Sequence, residues 1–243
     1  MLLPASHQAI DAYWATEMGT GADRWPVAPG VLCQAQQLYS GIQLFLREDT
    51  LLIATPPYLV PVIAAQIREV PSRRIFSAAF VEHLRVPGLG KILGPACVSY
   101  ADPATFQPAP AVSARLLTPG DTAACQSLAA ALSPAELDQS GFNPREAPAF
   151  GAFAGGLLGA VATCQRWEPR IAQITVATHP GSRRQGHARA AISALAEHAF
   201  ARNLILQYRA LAVNEPSLQL GRSLGFAPYC SMIYARLSPP NPP

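Results

Sequence analysis

Between Ile171 and Phe200 the sequence passes from IAQITVAT, through HPGSRRQG, into the alanine-rich run HARAAISALAEHAF. The first run is rich in β-branched residues and reads as a strand; the last is built from good helix formers and reads as a helix from Gly186 to about Arg202. Pro180, Gly181 and Gly186 leave room only for a turn between them. That order delivers the C-terminal end of a strand to the N-terminus of a helix, the building unit of an α/β fold. A helix start leaves backbone N–H groups without partners and carries the positive end of the macrodipole, so it suits an anion. Gly186 and Ala188 are small enough for a ligand to approach the backbone, and Arg183 and Arg184 add charge at the rim. A phosphate-bearing small ligand is the class this points to. A Walker loop is excluded, because the single lysine, Lys91 in LGKILG, has no Ser or Thr after it, and no G-x-G-x-x-G is present.

The rest of the chain supports an α/β reading with two parts. Half of the 243 residues are apolar, so a substantial core is available, and a net charge of +3 with no long basic run argues against a nucleic-acid surface. Five scattered cysteines without C-x-x-C spacing disfavour a disulfide framework and a zinc site, and fit a reducing, cytoplasmic compartment. The N-terminal MLLPASHQAIDAYW lacks the cationic start and apolar run of a secretory signal. The uncharged segment Ala147 to Cys164 raises the question of a membrane span, but its Ala and Gly content, Pro148 and the central Gly155-Gly156 pair favour a buried β-hairpin. Pro103, Pro108 and Pro110 suggest an extended linker. Expected domains are therefore a smaller α/β companion domain over 1–110, a second domain over 111–238 and a flexible tail at 239–243. Upstream of the linker the readable elements are a helix from Ser6 to Met18, strands LFLRED and TLLIAT, helices from Pro57 to Val70 and in SAAFVEHLRV, and a strand CVSYAD. Downstream they are strand SARLLT, helix GDTAACQSLAAALS, a short helix capped by Ser133, the hairpin, the strand–turn–helix, strand LILQYRALAV, a helix opened by NEPS and a strand CSMIYARL.

The motif R-x-x-G-x-A, Arg183 to Ala188, following Thr178-His179-Pro180, resembles the [Q/R]-x-x-G-x-[G/A] loop of the GNAT superfamily of acyl-CoA N-acyltransferases. NEPSLQLGRSLGF is similar to the same family's N-x-x-[AS]-x-x-L-x-x-x-L-G-F segment, with Asn214, Ser217, Leu220, Leu224, Gly225 and Phe226 in register. The likeness covers about the last 130 residues of the chain. It implies a mixed, twisted sheet flanked by helices and transfer of an acetyl group from acetyl-CoA to a primary amine, with no metal. On this resemblance the backbone of Val176, Ala177 and Thr178 pairs with the pantetheine arm, and the amides of Arg183, Arg184, Gln185, Gly186, His187, Ala188 and Arg189 cradle the pyrophosphate. Asn214 and Ser217 face the thiol-proximal portion. Partners would be a small-molecule or peptide amine, with neither nucleic acid nor membrane. The upstream domain would cover the acceptor site, mediate pairing into a homodimer, or be a decayed second copy of the same fold.

Two family features are missing. Gly221 stands where many members place a tyrosine that protonates the departing thiolate, and the strand IAQITVAT has no glutamate to serve as base. Gln173, Thr175 or backbone carbonyls could hold a water that takes the proton, with Tyr208 or Tyr229 as more distant acids; the catalytic residues stay unknown. The same gaps suggest the alternative of a non-catalytic acyl-CoA-binding sensor. Asn214 and Gly225 also have ordinary roles as helix cap and stop, His179 and His187 as turn residues, and Glu136 and Asp138 as a solvated helix face.

Overall fold

The computed structural model describes residues 1–109, 112–143, 145 and 148–238. The tail at 239–243 and Pro110 of the proline-rich stretch lie outside the described residues. Strands are β1 Gly30–Ala35, β2 Gly41–Arg47, β3 Thr50–Thr55, β4 Leu89–Ala101, β5 Ala114–Leu116, β6 Ala149–Ala154, β7 Leu157–Arg166, β8 Ile171–Thr178, β9 Ile205–Leu211 and β10 Ala227–Leu237. Helices are α1 Pro4–Met18, α2 Val60–Ile67, α3 Ser72–Ile75, α4 Ala78–Glu82, α5 Thr122–Ala131, α6 Pro134–Ser140, α7 His187–Phe200 and α8 Glu215–Ser223. This is a mixed α/β protein. Its chain divides into a motif unit (Met1–Leu3, Tyr100–Arg209, Gln219–Ala227) and a companion unit (Pro4–Ser99, Ala210–Leu218, Pro228–Pro243).

In the motif unit the strands lie in the order β9-β8-β7-β6-β5. Neighbours from β5 to β8 are antiparallel, and β8 and β9 are parallel. The hairpin expected from Gly155-Gly156 is β6–β7: both glycines have positive φ, 54° and 87°, as a tight two-residue turn requires. Helices α5 and α6 cover a core of Cys125, Leu128, Phe142, Leu158, Val161 and Ala177. The start of α6 is fixed by a capping box in which Ser133 and Glu136 satisfy each other's backbone N–H. Helix α7 buries Ala190, Ala191, Ile192, Leu195, Ala196 and Ala199, so its apolar stripe is mostly methyl groups.

The proline-rich stretch is not an extended linker. Asp102 accepts hydrogen bonds from the N–H groups of Leu3, Ala104 and Thr105, Gln107 N–H donates to the Leu224 carbonyl at 2.9 Å, and Ala109 N–H donates to Ser193 Oγ at 2.9 Å. Backbone hydrogen bonds to α7 and to the end of α8 hold the segment within the motif unit, an outcome that proline content alone cannot foretell.

In the companion unit the order is β1-β3-β2-β10-β4. β1 runs parallel to β3, and β2 is antiparallel to both β3 and β10. Its core is branched and dense: Ile42, Leu44, Leu51, Ile53, Leu59, Ile63, Ile75 and Val81, joined by Ile233 and Ala235. The last strand was expected in the downstream domain; instead Ile233 pairs with Leu44 and is fully buried among the companion residues. Burial of that apolar face outweighs nearness in sequence. The sequence also hid β1, an edge strand with exposed Val31 and Leu32. The parallel pairs of the two units differ in chain order: the parallel neighbour of β8 is β9, which follows it, whereas that of β3 is β1, which precedes it.

Candidate functional site

β8 is treated differently on its two edges. Toward β7 it is paired from Ala172↔Arg166 to Thr178↔Ala160 without a register shift. Toward β9 the ladder contains only Ile171↔Ile205, Ala172↔Leu206 and Gln173↔Gln207, and then stops. Ile205 N–H donates to the Arg170 carbonyl and His179 N–H donates to the Gly159 carbonyl. Since backbone groups alternate between the edges of a strand, the even-numbered residues of β8 face β9 and the odd-numbered ones face β7. Beyond Gln173 the strands fork, and the carbonyl of Ile174 and the backbones of Val176 and Thr178 face the gap with no ladder partner on β9 among the described residues. Of the residues expected to pair with an extended ligand, Val176 and Thr178 present their backbone there. Ala177 turns its backbone to β7 and buries its side chain against α5 and α6.

At the open end of the fork the chain makes a 3-10 turn, Pro180–Ser182, held by the Gly181 N–H donating to His179 Nδ1. Gln185 Nε2 donates to the Gly181 carbonyl at 3.0 Å, and Arg184 has φ 60°. Gly186 then caps α7 at φ 84°, a left-handed conformation that favours glycine, and offers no side-chain bond to the first-turn N–H groups. Those amides, at His187, Ala188 and Arg189, start a helix of 14 residues directly after the forked strand. His187 is buried, and its Nδ1 has no hydrogen-bond partner among the described residues. Its ring occupies the space that a β-carbon on Gly159 would need, at 3.0 Å.

The arginines divide. Arg183, read as a charge at the anion site, bonds Glu136 on α6 at 2.5 Å, with both side chains more than a third exposed. Ser133 bonds, more than Arg183, hold the Glu136 carboxyl down at about 2, so Glu136 serves the helix cap first. Arg184 is exposed, and Arg189 is half-buried, with Nη2 3.5 Å from the Ser223 carbonyl. Asn214 and Ser217 fall in the companion unit, where Asn214 Oδ1 accepts from the Ser217 N–H at 3.2 Å and caps α8.

The proton carriers can also be placed. At Gly221 a β-carbon would meet the Tyr208 ring at 3.1 Å, so this aromatic ring from β9 fills the room beside α8 that a side chain there would take. Tyr229 belongs to the companion unit and donates to Asp11 Oδ1 at 2.5 Å; burial first, and then Asp11, push its phenol far above the ordinary range. Its proton is thus committed to Asp11. Thr175 shares a hydroxyl–hydroxyl bond with the buried Thr163. Gln173 proves to be part of a chain that includes two residues the sequence reading did not single out, Gln207 and Tyr100. Tyr100 Oη donates to Gln207 Oε1, Gln207 Nε2 donates to Gln173 Oε1 at 2.9 Å, and Gln173 Nε2 donates to the Ile174 carbonyl at 2.8 Å. The one available signal was a glutamine inside the apolar strand LILQYRALAV.

A forked parallel pair leading into an uncapped, glycine-started helix joins a strand edge to an open helix N-terminus in one continuous path. A family model described as GNAT acetyltransferase matches residues 142–231, which hold β6 to β9, α7, α8 and the start of β10. The chain carries a GNAT-superfamily domain in its C-terminal half. Among solved structures, one from the GNAT family of Novosphingobium aromaticivorans aligns at 23% identity and TM-score 0.51, over 63% of this chain and 69% of that one. A GCN5-related N-acetyltransferase from Kribbella flavida aligns at 18% identity and TM-score 0.49, over 84% of this chain and 90% of that one. The first likeness shows a GNAT fold. No curated protein matches the sequence. The chemistry attached to the matched family is acetyl transfer, and among the described residues no helix is long and apolar enough to cross a membrane.

Proposed function

We propose that the GNAT domain transfers an acetyl group from acetyl-CoA to a primary amine by direct attack. The observation that carries this is the continuity of the fork with the uncapped start of α7. An extended amide-bearing arm fits beside β8 because Val176 and Thr178 have backbone groups on that edge, and a diphosphate fits the amides from Arg183 to Arg189 because Gly186 and Ala188 leave the helix start open. Bound there, acetyl-CoA supplies an activated acyl carbon: the amine nitrogen bonds to it as the carbon–sulfur bond breaks. The protein's contribution is then mostly placement and N–H donation from the strand edge. The amine's proton leaves through water at the half-buried Gln173 and Thr175, and the CoA thiol retains a proton drawn from solvent.

Titration calorimetry with free CoA at moderate ionic strength tests the binding half, and thiol release from acetyl-CoA across a panel of amines tests the reaction. Saturable CoA binding with acceptor-dependent thiol release is the expected result; no heat on adding CoA overturns the reading. A second reading, a CoA-binding sensor without turnover, is favoured by Gly221 and by the Tyr208 ring packed beside it. It would be signalled by tight CoA binding with no thiol release for any amine in the panel.

A further inference from the structure

The fork in the motif unit does not end in an open cleft. Its apex is the Gln173↔Gln207 pair, the last rung of the β8–β9 ladder, and both side chains are committed there. Ile174 faces β9, so continued pairing would require its carbonyl to accept from the next β9 amide. That carbonyl instead accepts from Gln173 Nε2, which caps the ladder at its last rung. Gln207, fully buried, bonds Gln173 from the other strand, and the buried Tyr100 hydroxyl holds Gln207 from behind. Every polar atom of the Gln173 and Gln207 amides but one N–H of each is thereby hydrogen-bonded, in a place closed to water at Gln207.

We infer that the Tyr100–Gln207–Gln173 chain is an acyl-length stop: it fills the apex of the fork and restricts the acyl donor to short acyl groups. This rests on the reading that CoA lies in the fork. An arm that starts at the α7 amides and runs back along β8 has the four steps from Thr178 to Ile174, about 13 Å at roughly 3.3 Å per residue, before it meets the amide pair. On this inference a two-carbon acyl group ends short of the pair. A group two carbons longer pushes into it, separating hydrogen-bonded amides and leaving the fully buried Gln207 amide without its partner, which is costly. Gln173 and Gln207 act here by occupying space and by their mutual bond, and Tyr100 is a positioning residue that acts through Gln207.

Binding without acceptor tests this directly. Affinities of free CoA, acetyl-CoA and butyryl-CoA for the full chain are measured by calorimetry, and the butyryl-to-CoA ratio of dissociation constants is compared among variants. In the unmodified protein acetyl-CoA should bind about as well as CoA, and butyryl-CoA at least tenfold more weakly. Gln173→Ala, at a half-buried position, should reduce that penalty at least fivefold. Tyr100→Phe, which keeps the ring but removes the bond that orients Gln207, should reduce it by a smaller factor. Because Gln173→Ala could loosen the strand, melting curves accompany it, and Gln173→Ser supplies a second shortened side chain with a polar end. Failure of free CoA to bind overturns both this inference and the proposed function. CoA binding with no butyryl penalty, or with a penalty that survives both Gln173 variants in folded protein, overturns the length stop alone.

Discussion

β3 and β8 are each a strand followed by a helix, and each has a parallel neighbour, yet only one of them leaves backbone to spare. β3 is paired from end to end with β1, Thr50↔Gly30 through Thr55↔Ala35, and from Thr50 to Ala54 with β2. The chain that follows β3 carries Pro56 and Pro57 into a 3-10 turn and Pro61 into the first turn of α2, so three of the nitrogens near that helix start have no hydrogen to offer. β8 has one edge filled by β7 and the other released after Gln173, and its helix begins on Gly186 with no side-chain cap. On the proposed function, binding capacity in this architecture comes from incomplete pairing. The strand–helix unit common to both supplies only the scaffold.

The two edges of β8 can be separated experimentally. Ala177→Pro removes an N–H that faces β7 inside a central ladder and should cost about 3 kcal/mol or more, seen as a large fall in melting temperature. Val176→Pro removes one that faces the fork, so it should unfold the protein less than Ala177→Pro while weakening CoA binding at least tenfold. Equal melting of the two variants, or unchanged CoA affinity in folded Val176→Pro, would break the contrast between the edges.

The helix starts give the next effect. Gly186→Ala places a β-carbon in ordinary van der Waals contact with Val112 Cγ2, at 3.5 Å, so the cost is the left-handed φ alone, about 1 to 2 kcal/mol. Stability should fall by that amount and CoA affinity several-fold, both read on the same sample. Pro57→Ala restores an N–H to the companion unit's turn, and should leave CoA affinity as it is with a stability change of about 1 kcal/mol or less. A shift in CoA affinity as large as that of Gly186→Ala would dissolve the distinction between the two starts.

The smallest effect concerns the α6 cap. Ser133→Ala should lower stability by about 1 kcal/mol. Bonds from Ser133, and then Arg183, depress the folded Glu136 carboxyl to about 2, below its ordinary value near 4.3. Its contribution is therefore complete above the ordinary value and lost as the pH falls through about 2. The melting difference between the unmodified protein and Glu136→Gln should be present at pH 7 and shrink steadily below pH 4. The same substitution frees Arg183 and should raise CoA affinity less than threefold, with the gain vanishing at high salt.

Much of this was legible locally. The hairpin at Gly155-Gly156, the Ser133 cap and the strand–turn–helix around Gly186 are each written within a few residues and appear where the pattern puts them. The destination of β10 and the docking of the proline-rich stretch were not, because each is decided by a partner far away in sequence: Leu44 for Ile233, Leu224 for Gln107. Arg183 is instructive in another way. Its charge was visible, but its partner Glu136 lies 47 positions upstream.

The sequence by itself determined which residues could form a helix start open to an anion, because φ, capping and small side chains act over one or two turns of chain. Only the tertiary structure decided that β8 would part from β9 at Gln173 and that a buried tyrosine and glutamine would close the apex. Where a ladder stops depends on how two strands remote in sequence diverge and on what fills the space between them, and no local pattern carries that information.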